Sequence, residues 1–254
     1  MLVSRLFIDN PLRNFNYLVA CPETGEALAI DPLEVDAVLA DAAARGWTIR
    51  QILCTHDHWD HAGGRAQLSA ATGARVLAHA ASPLDGVDLG LRHGDPVQVG
   101  SSVTLTALDT PGHTMSHICL VGGGHLFAGD TVFAGGCGNC RHGGHPQALW
   151  QTFRDVIYAL PDGLILDAGH DYAVNNFGFS LDREPGNAAT EAGLADATAL
   201  ASRGEQLTTT LAAERTWNPF FRLRSEILRD RLGVSADEPD EAVFIALREA
   251  RNHW

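Results

Sequence analysis

The chain is poor in positive charge. It has 18 Lys and Arg against 31 Asp and Glu, a formal net charge of −13 over 254 residues, which makes a nucleic-acid backbone an unsuitable partner. It is also poor in cysteine. Five such residues, in a chain that otherwise looks intracellular, do not make a disulfide framework. No apolar run reaches the roughly 20 residues needed to cross a bilayer. The stretch from Met1 to Ala20 carries Arg5, Asp9, Arg13 and several asparagines where a signal peptide would be apolar. The expectation is a cytoplasmic, soluble protein with neither a membrane nor a nucleic-acid partner. A G-x-S-x-G elbow and a dinucleotide-binding glycine pattern are both missing, which removes two common carriers of enzyme chemistry. There is no internal repeat, and no low-complexity tract beyond Ala-rich helical stretches.

What is present is histidine beside carboxylate. Thr55-His56-Asp57-His58-Trp59-Asp60-His61-Ala62-Gly63-Gly64 follows Ile49 to Cys54, a short run of strand character, and precedes Ala62 to Ala71, which has helical spacing. The histidines therefore sit on a loop anchored at both ends. Neutral imidazole and carboxylate suit Zn, Fe or Mn. His56 and His58, two apart in an extended loop, can point to one side, whereas Asp60 and His61 at the helix turn can point to another. That spacing predicts two sub-sites. The pattern His-x-His-x-Asp-His resembles the metallo-β-lactamase superfamily, and the Ala-Gly-Gly after it is similar to glyoxalase II, the hydroxyacylglutathione hydrolase family.

Elsewhere the chain alternates short strands and helices, as layered α/β packing does. Strands are predicted at Leu2 to Ile8, Asn16 to Ala20, Ala27 to Ile30, Arg75 to His79, Val103 to Leu108, His125 to Ala128 and Leu164 to Leu166. Helices are predicted from Glu34 to Arg45 and from Pro146 to Leu160. Three more candidate ligands stand just after strands: His113 in Thr110-Pro111-Gly112-His113-Thr114, Asp130 in Gly129-Asp130-Thr131, and His170 in Gly169-His170-Asp171-Tyr172. Strand ends and their loops are where a rigid scaffold presents functional side chains. His79 reads as structural, His93 as a turn residue, and His117 as support for the turn that carries His113. From about residue 173 strand signals vanish. Helices are expected at 187–202, Glu226 to Leu232 and Glu241 to Arg251, forming a small helical region.

The candidates divide into His56, His58 and His113 for one metal and Asp60, His61 and His170 for a second, with Asp130 bridging. Asp60 and Asp130 are the carboxylates of the catalytic centre. Two such ions would share a hydroxide of lowered pKa and stabilise an oxyanion, which is hydrolytic chemistry. The resemblance to glyoxalase II implies a metallo-β-lactamase αββα sandwich over residues 1–172 and a helical C-terminal substrate-binding domain over 173–254. It extends to Asn175-Asn176 with Phe179, Glu184-Pro185-Gly186-Asn187, and Asn218-Pro219-Phe220 with Arg222. It implies two divalent ions, zinc first and iron or manganese as alternatives. The implied reaction is cleavage of S-D-lactoylglutathione and related acyl-glutathione thioesters. Thiolate is a tolerable leaving group, since thiols ionise near pH ~8.5. Tyr172 and Asn176 match positions that touch glutathione, and Arg248 and Arg251 match basic residues that hold its glycine carboxylate. One stretch departs. After Gly-Cys-Gly the family usually has a basic residue, whereas this chain has Asn139-Cys140-Arg141, so Arg141 is the candidate replacement cation. Cys137, Cys140, His142 and His145 form a weaker candidate for a separate metal knuckle. The rivals are a mononuclear iron persulfide dioxygenase, a lactone or β-lactam hydrolase of the same fold, and a non-catalytic binding protein.

Overall fold

A computed structural model describes residues 1–254. The chain forms two compact units. The first comprises Met1–Thr110 and Ser116–Gly129, the second Pro111–Met115 and Asp130–Trp254. No helix is long and apolar enough to cross a membrane.

The first unit holds β1 (Leu2–Phe7), β2 (Phe15–Ala20), β3 (Glu26–Ile30), α1 (Val35–Arg45), β4 (Thr48–Leu53), α2 (Trp59–Ala62), α3 (Arg65–Thr72), β5 (Arg75–His79), β6 (Leu89–Leu91), β7 (Pro96–Val99), β8 (Val103–Asp109), β9 (Ile118–Gly122) and β10 (His125–Gly129). Strands β1 to β6 make one sheet in chain order, antiparallel up to β3 and parallel from β3 onward. Strands β10, β9, β8 and β7 lie side by side in antiparallel order.

Because successive side chains on a strand face opposite ways, the first sheet feeds two cores. Val19, Leu28, Leu53 and Leu77 pack with Val97, Leu105, Ile118 and Phe127 of the second strand set. Their neighbours Leu18, Ala29, Ile52 and Val76 pack instead with Val38, Ala42 and Leu68 of α1 and α3. This double burial explains the apolar runs Tyr17–Ala20, Ala27–Ile30 and Val76–Ala78 within β2, β3 and β5. It also anchors the parallel strands at their carboxyl ends, where Asp31 follows β3 and the histidine loop follows β4.

The second unit contains the hairpin β11 (Val132–Phe133) and β12 (Gly136–Cys137), then α4 (Pro146–Asp155), β13 (Ile165–Ala168), α5 (Ala173–Arg183), α6 (Ala188–Ala201), β14 (Thr209–Thr210), α7 (Leu211–Trp217), α8 (Glu226–Leu232) and α9 (Asp240–Asn252). An aromatic group of Trp150 and Phe153 from α4, Phe220, and Phe244 from α9 forms its centre, with Phe153, Phe220 and Phe244 packed at centroid distances of 5.1–6.4 Å. Gly112 turns the chain toward His113 with φ 148° and lies so close to α4 that a Cβ would stand 2.4 Å from the Leu149 Cα.

Three differences from the sequence expectation stand out. The helix predicted from Pro146 to Leu160 stops at Asp155 and continues as a 3-10 turn, Ile157–Ala159. Helices α5 and α7 were not anticipated. The α5 segment contains two asparagines and a glycine, poor helix formers, yet it buries Ala173, Asn176, Phe177, Phe179 and Ser180 along one face. Strand β14 shows that pairing does not end at residue 173, since Thr209 and Thr210 pair with Leu166 and Ile165.

Candidate metal centre and anion pocket

In the first unit the ligand candidates are set by a residue that sequence reasoning passed over. Asp31 leaves β3 with φ 51°, a left-handed conformation unusual for a residue with a side chain. The turn folds its carboxylate back onto the neighbouring parallel strand. There it accepts the Thr55 N–H and the Thr55 hydroxyl, both at 2.7 Å, and lies 2.9 Å from Nδ1 of His61. With Nδ1 held by the carboxylate, Nε2 of His61 is the nitrogen left for a ligand. Asp31, His56 and His61 have ligand atoms within 4.8 Å of one another. Asp31, however, already serves three donors on the far side of the imidazole, so we assign it to orientation.

His56 is fixed in the same way. Its Nδ1 lies 3.0 Å from the Thr55 oxygen, and its Nε2 lies 3.1 Å from Nδ1 of His58. Asp60 Oδ2 accepts from Asn14 at 3.0 Å and stands 3.5 Å from Nε2 of His61. His56, Asp60 and His61 are buried. The loop reaches α3 through Gly64, where a Cβ would stand 2.0 Å from the Pro32 carbonyl oxygen, so the Gly-Gly pair is a steric requirement of the turn.

In the second unit His113, Asp130 and His170 converge. Nε2 of His113 is 3.4 Å and Nε2 of His170 is 3.3 Å from Oδ2 of Asp130. Nδ1 of His113 donates to the Asn139 carbonyl at 2.6 Å, which again leaves Nε2 outward. All three are buried. Ligand atoms placed about 2.1 Å from one tetrahedral ion lie roughly 3.4 Å apart. The separations of 3.3–3.5 Å between histidine nitrogens and carboxylate oxygens match that spacing, so the residues present fit a divalent metal.

Beside His170 lies a cavity of about 290 Å³, lined among others by Phe133, Tyr172, Asn176, Arg141, Arg248 and Arg251. Tyr172 stacks on the His170 ring at 4.7 Å and 6°, and Phe133 meets it edge-on at 5.8 Å. Three guanidinium groups line the cavity and no Asp or Glu side chain does. Arg248 is buried and donates to the carbonyls of Cys137 and Gly138 at 2.8 and 3.1 Å, while its Nε has no partner. Arg251 donates to Asn176 at 3.1 Å, and burial together with the Arg248 charge holds its pKa below the ordinary value. Arg141, on the exposed loop, donates to the Asn252 carbonyl.

The cysteines take no part. Burial pushes the Cys137 thiol up, and burial with the nearby Cys137 pushes Cys140 to about 12. No group of candidate ligands includes a cysteine, which leaves the knuckle reading without support. His117 supports the His113 turn through Thr110, at 2.8 Å, and its ring stacks at 5.2 Å on His56. His79 has a partner that its sequence neighbourhood does not reveal, the Asp109 carboxylate at 3.4 Å.

Residues 15–166 match the metallo-β-lactamase superfamily. A crystal structure of ETHE1 from Myxococcus xanthus superposes with a TM-score of 0.71 at 26% identity, covering 99% of this chain and 98% of that one. Fold and ligand clusters thus define a metallo-hydrolase of the metallo-β-lactamase class. Residues 171–254 match the hydroxyacylglutathione hydrolase C-terminus. The hydroxyacylglutathione hydrolases of Polaromonas sp. and Nitrosococcus oceani are 49% and 47% identical to the chain, each with full coverage of both sequences. The chain belongs to the hydroxyacylglutathione hydrolase family.

Proposed function

We propose that the chain hydrolyses S-D-lactoylglutathione and related acyl-glutathione thioesters to the free acid and glutathione, with two divalent ions, zinc foremost. His56, His58 and His113 would hold one ion and Asp60, His61 and His170 the other, with Asp130 shared. Residues 1–172 supply all seven ligands, and residues 173–254 supply Asn176, Arg248 and Arg251 to the pocket. The setting is cytoplasmic, with no nucleic-acid or membrane partner. When bound, such cations lower the pKa of water toward neutrality and polarise a carbonyl.

The protein's own residues arrange everything else. Asp31 and the Asn139 carbonyl hold His61 and His113 by Nδ1, with Nε2 turned toward Asp60 and Asp130 respectively. Asp60 and Asp130 would supply negative charge to balance a bound metal. The observation that carries the substrate assignment is the cation-lined cavity stacked on His170 through Tyr172 and Phe133. Glutathione carries two carboxylates and one ammonium, hence a net charge of about −1 at neutral pH. A protein at −13 repels it on average, so a local patch such as Arg141, Arg248 and Arg251 is needed to reverse the field. A thiolate leaves without help from a strong acid, and the raised thiols of Cys137 and Cys140 do not compete as nucleophiles.

The test is a parallel assay of the metal-replete protein against S-D-lactoylglutathione, a β-lactam and glutathione persulfide. Turnover of the thioester alone, with oxygen-18 from solvent water in the acid product, is the expected result. Dioxygen uptake at the rate of persulfide turnover would overturn it.

A further inference from the structure

Six consecutive main-chain carbonyls, from Phe133 to Gly138, each accept a hydrogen bond from a side chain of the segment between Asn176 and Arg248. Asn218 donates to Phe133 at 3.3 Å and to Gly136 at 3.0 Å. Asn176 donates to Ala134 at 3.0 Å, Ser180 to Gly135 at 3.1 Å, and Arg248 to both Cys137 and Gly138. The hairpin β11–β12 is thereby held from outside along its whole length. Glu214 supplies the matching acceptor. Its Oε2 takes the Gly135 N–H and the Asn218 amide, each at 2.9 Å, while its Oε1 takes Trp217 Nε1 at 2.9 Å and the Thr209 hydroxyl at 3.0 Å.

Glu214 is fully buried, and all four partners are neutral. An isolated carboxylate in that setting is unfavourable, and burial lifts its pKa to about 7. An apolar side chain would avoid that penalty only by leaving these four donors without their acceptor. What the carboxylate adds is a fixed position for the hairpin. The far end of the hairpin is seated tightly, because a Cβ on Gly138 would lie 2.0 Å from the Asp130 carbonyl oxygen and 2.9 Å from Nδ1 of His113. The next residue, Asn139, offers the carbonyl that fixes the His113 ring.

We propose that Glu214 is a positioning residue: through Gly135 and Asn218 it sets the hairpin that presents the Asn139 carbonyl to His113 and rests on Asp130. The kinetic arm of its test rests on the thioester reaction proposed above, and the spectroscopic arm does not.

The experiment compares the metal-replete wild type with Glu214→Gln and Thr209→Val. Glutamine keeps the volume but cannot accept from all four donors. Valine removes only a contact on the side of Glu214 away from the hairpin. Three quantities are measured: hydrogen exchange of the Gly135 amide by NMR, melting temperature, and kcat and KM for lactoylglutathione. In Glu214→Gln the Gly135 amide should exchange at least about tenfold faster. Its kcat should fall about tenfold, in line with the loss of an outer-shell contact to a metal ligand, while KM moves by no more than about twofold. Thr209→Val should melt lower yet keep both kinetic constants and a protected Gly135. In the wild type the Gly135 amide shift should titrate with a midpoint at about 7, a readout that survives even if Glu214→Gln fails to fold. A Gly135 amide indifferent to both pH and Glu214→Gln overturns the proposal. So does a freed amide with unchanged kcat, or an equal kinetic loss in Thr209→Val. If the wild type turns over no thioester, the proposed function fails and the Gly135 amide still decides the role of Glu214.

Discussion

The two ligand sets orient their histidines by different means. In the first unit, a charged side chain does it: Asp31 holds both the Thr55 backbone and the His61 ring. Residues 31 and 55 are neighbours because β3 and β4 pair in parallel, so the device is complete within one sheet. In the second unit a neutral main-chain carbonyl holds His113. That carbonyl sits on a glycine-rich loop whose position is set by side chains from α5, α9 and Asn218. The first set is thus rigid by local pairing, whereas the second depends on packing with residues up to 111 positions away in the chain. The first set is a locally fixed platform, whereas the second shares its supporting side chains, Asn176 and Arg248, with the cation-lined cavity.

The sharpest way to break the comparison is Asp31→Asn. An amide cannot serve the Thr55 N–H, the Thr55 hydroxyl and the His61 N–H together, so metal affinity should fall about 10–100-fold. Titration of the apoprotein with zinc measures it. An unchanged affinity would mean that the first platform holds its histidines without Asp31.

In the second unit Arg248 and Arg251 should separate. Arg251→Ala removes a pocket cation, and losing one charge-assisted contact of about 1.5–3 kcal/mol predicts a KM for lactoylglutathione raised roughly tenfold or more with kcat less affected. Arg248→Ala also releases the Cys137 and Gly138 carbonyls, so both KM and zinc affinity should worsen. Steady-state kinetics beside zinc titration distinguishes the two. Identical profiles would uncouple the pocket from the metal.

A further effect is on stability. The folded protein lifts Glu214 from its ordinary 4.5 to about 7, so between those values it keeps a proton that the unfolded chain has lost. The stabilising contribution is complete below pH 4.5 and disappears as the pH rises through about 7, a swing on the order of 3 kcal/mol. Melting curves from pH 5 to 8 should show this decline in the wild type, and the difference from Glu214→Gln should vary over the same window. A constant difference would remove the carboxylate's titration from the account.

Much of the first ligand set was legible in the sequence because it is local. His56 and His58 precede the short helix α2, and Asp60 and His61 lie on it, so a spacing that lets them point to two sides can be read within six residues. His113, Asp130 and His170 were legible only as residues after strand ends beside that loop. Asp31 was not, since Asp-Pro after a strand looks like an ordinary stop. Its role emerges from a positive φ and a parallel pairing, neither of which has a local signature. The helices α5 and α7 were hidden for a related reason. The propensity of α5 is poor and contacts with the hairpin stabilise it, whereas α7 has good helix formers but only seven residues, too few for a clear periodic pattern. Asn218 and Arg248 stood out as residues, yet their shared duty toward the carbonyls of residues 133–138 depends on long-range geometry.

Those carbonyls bear on how the chain is divided. The two family matches meet between residues 166 and 171, which suggests a natural cut between modules. Every side-chain donor to the carbonyls of residues 133–138 lies beyond that cut, and five of those six residues are buried. A fragment ending at residue 170 would strip these carbonyls of their side-chain donors, at roughly 1–3 kcal/mol for each acceptor left buried and unpaired. A few such losses are a large share of the stability of an ordinary domain, about 5–15 kcal/mol. The sequence boundary therefore falls inside the second unit, and the C-terminal helices cannot be exchanged for another module unless its side chains rebuild the same row of donors.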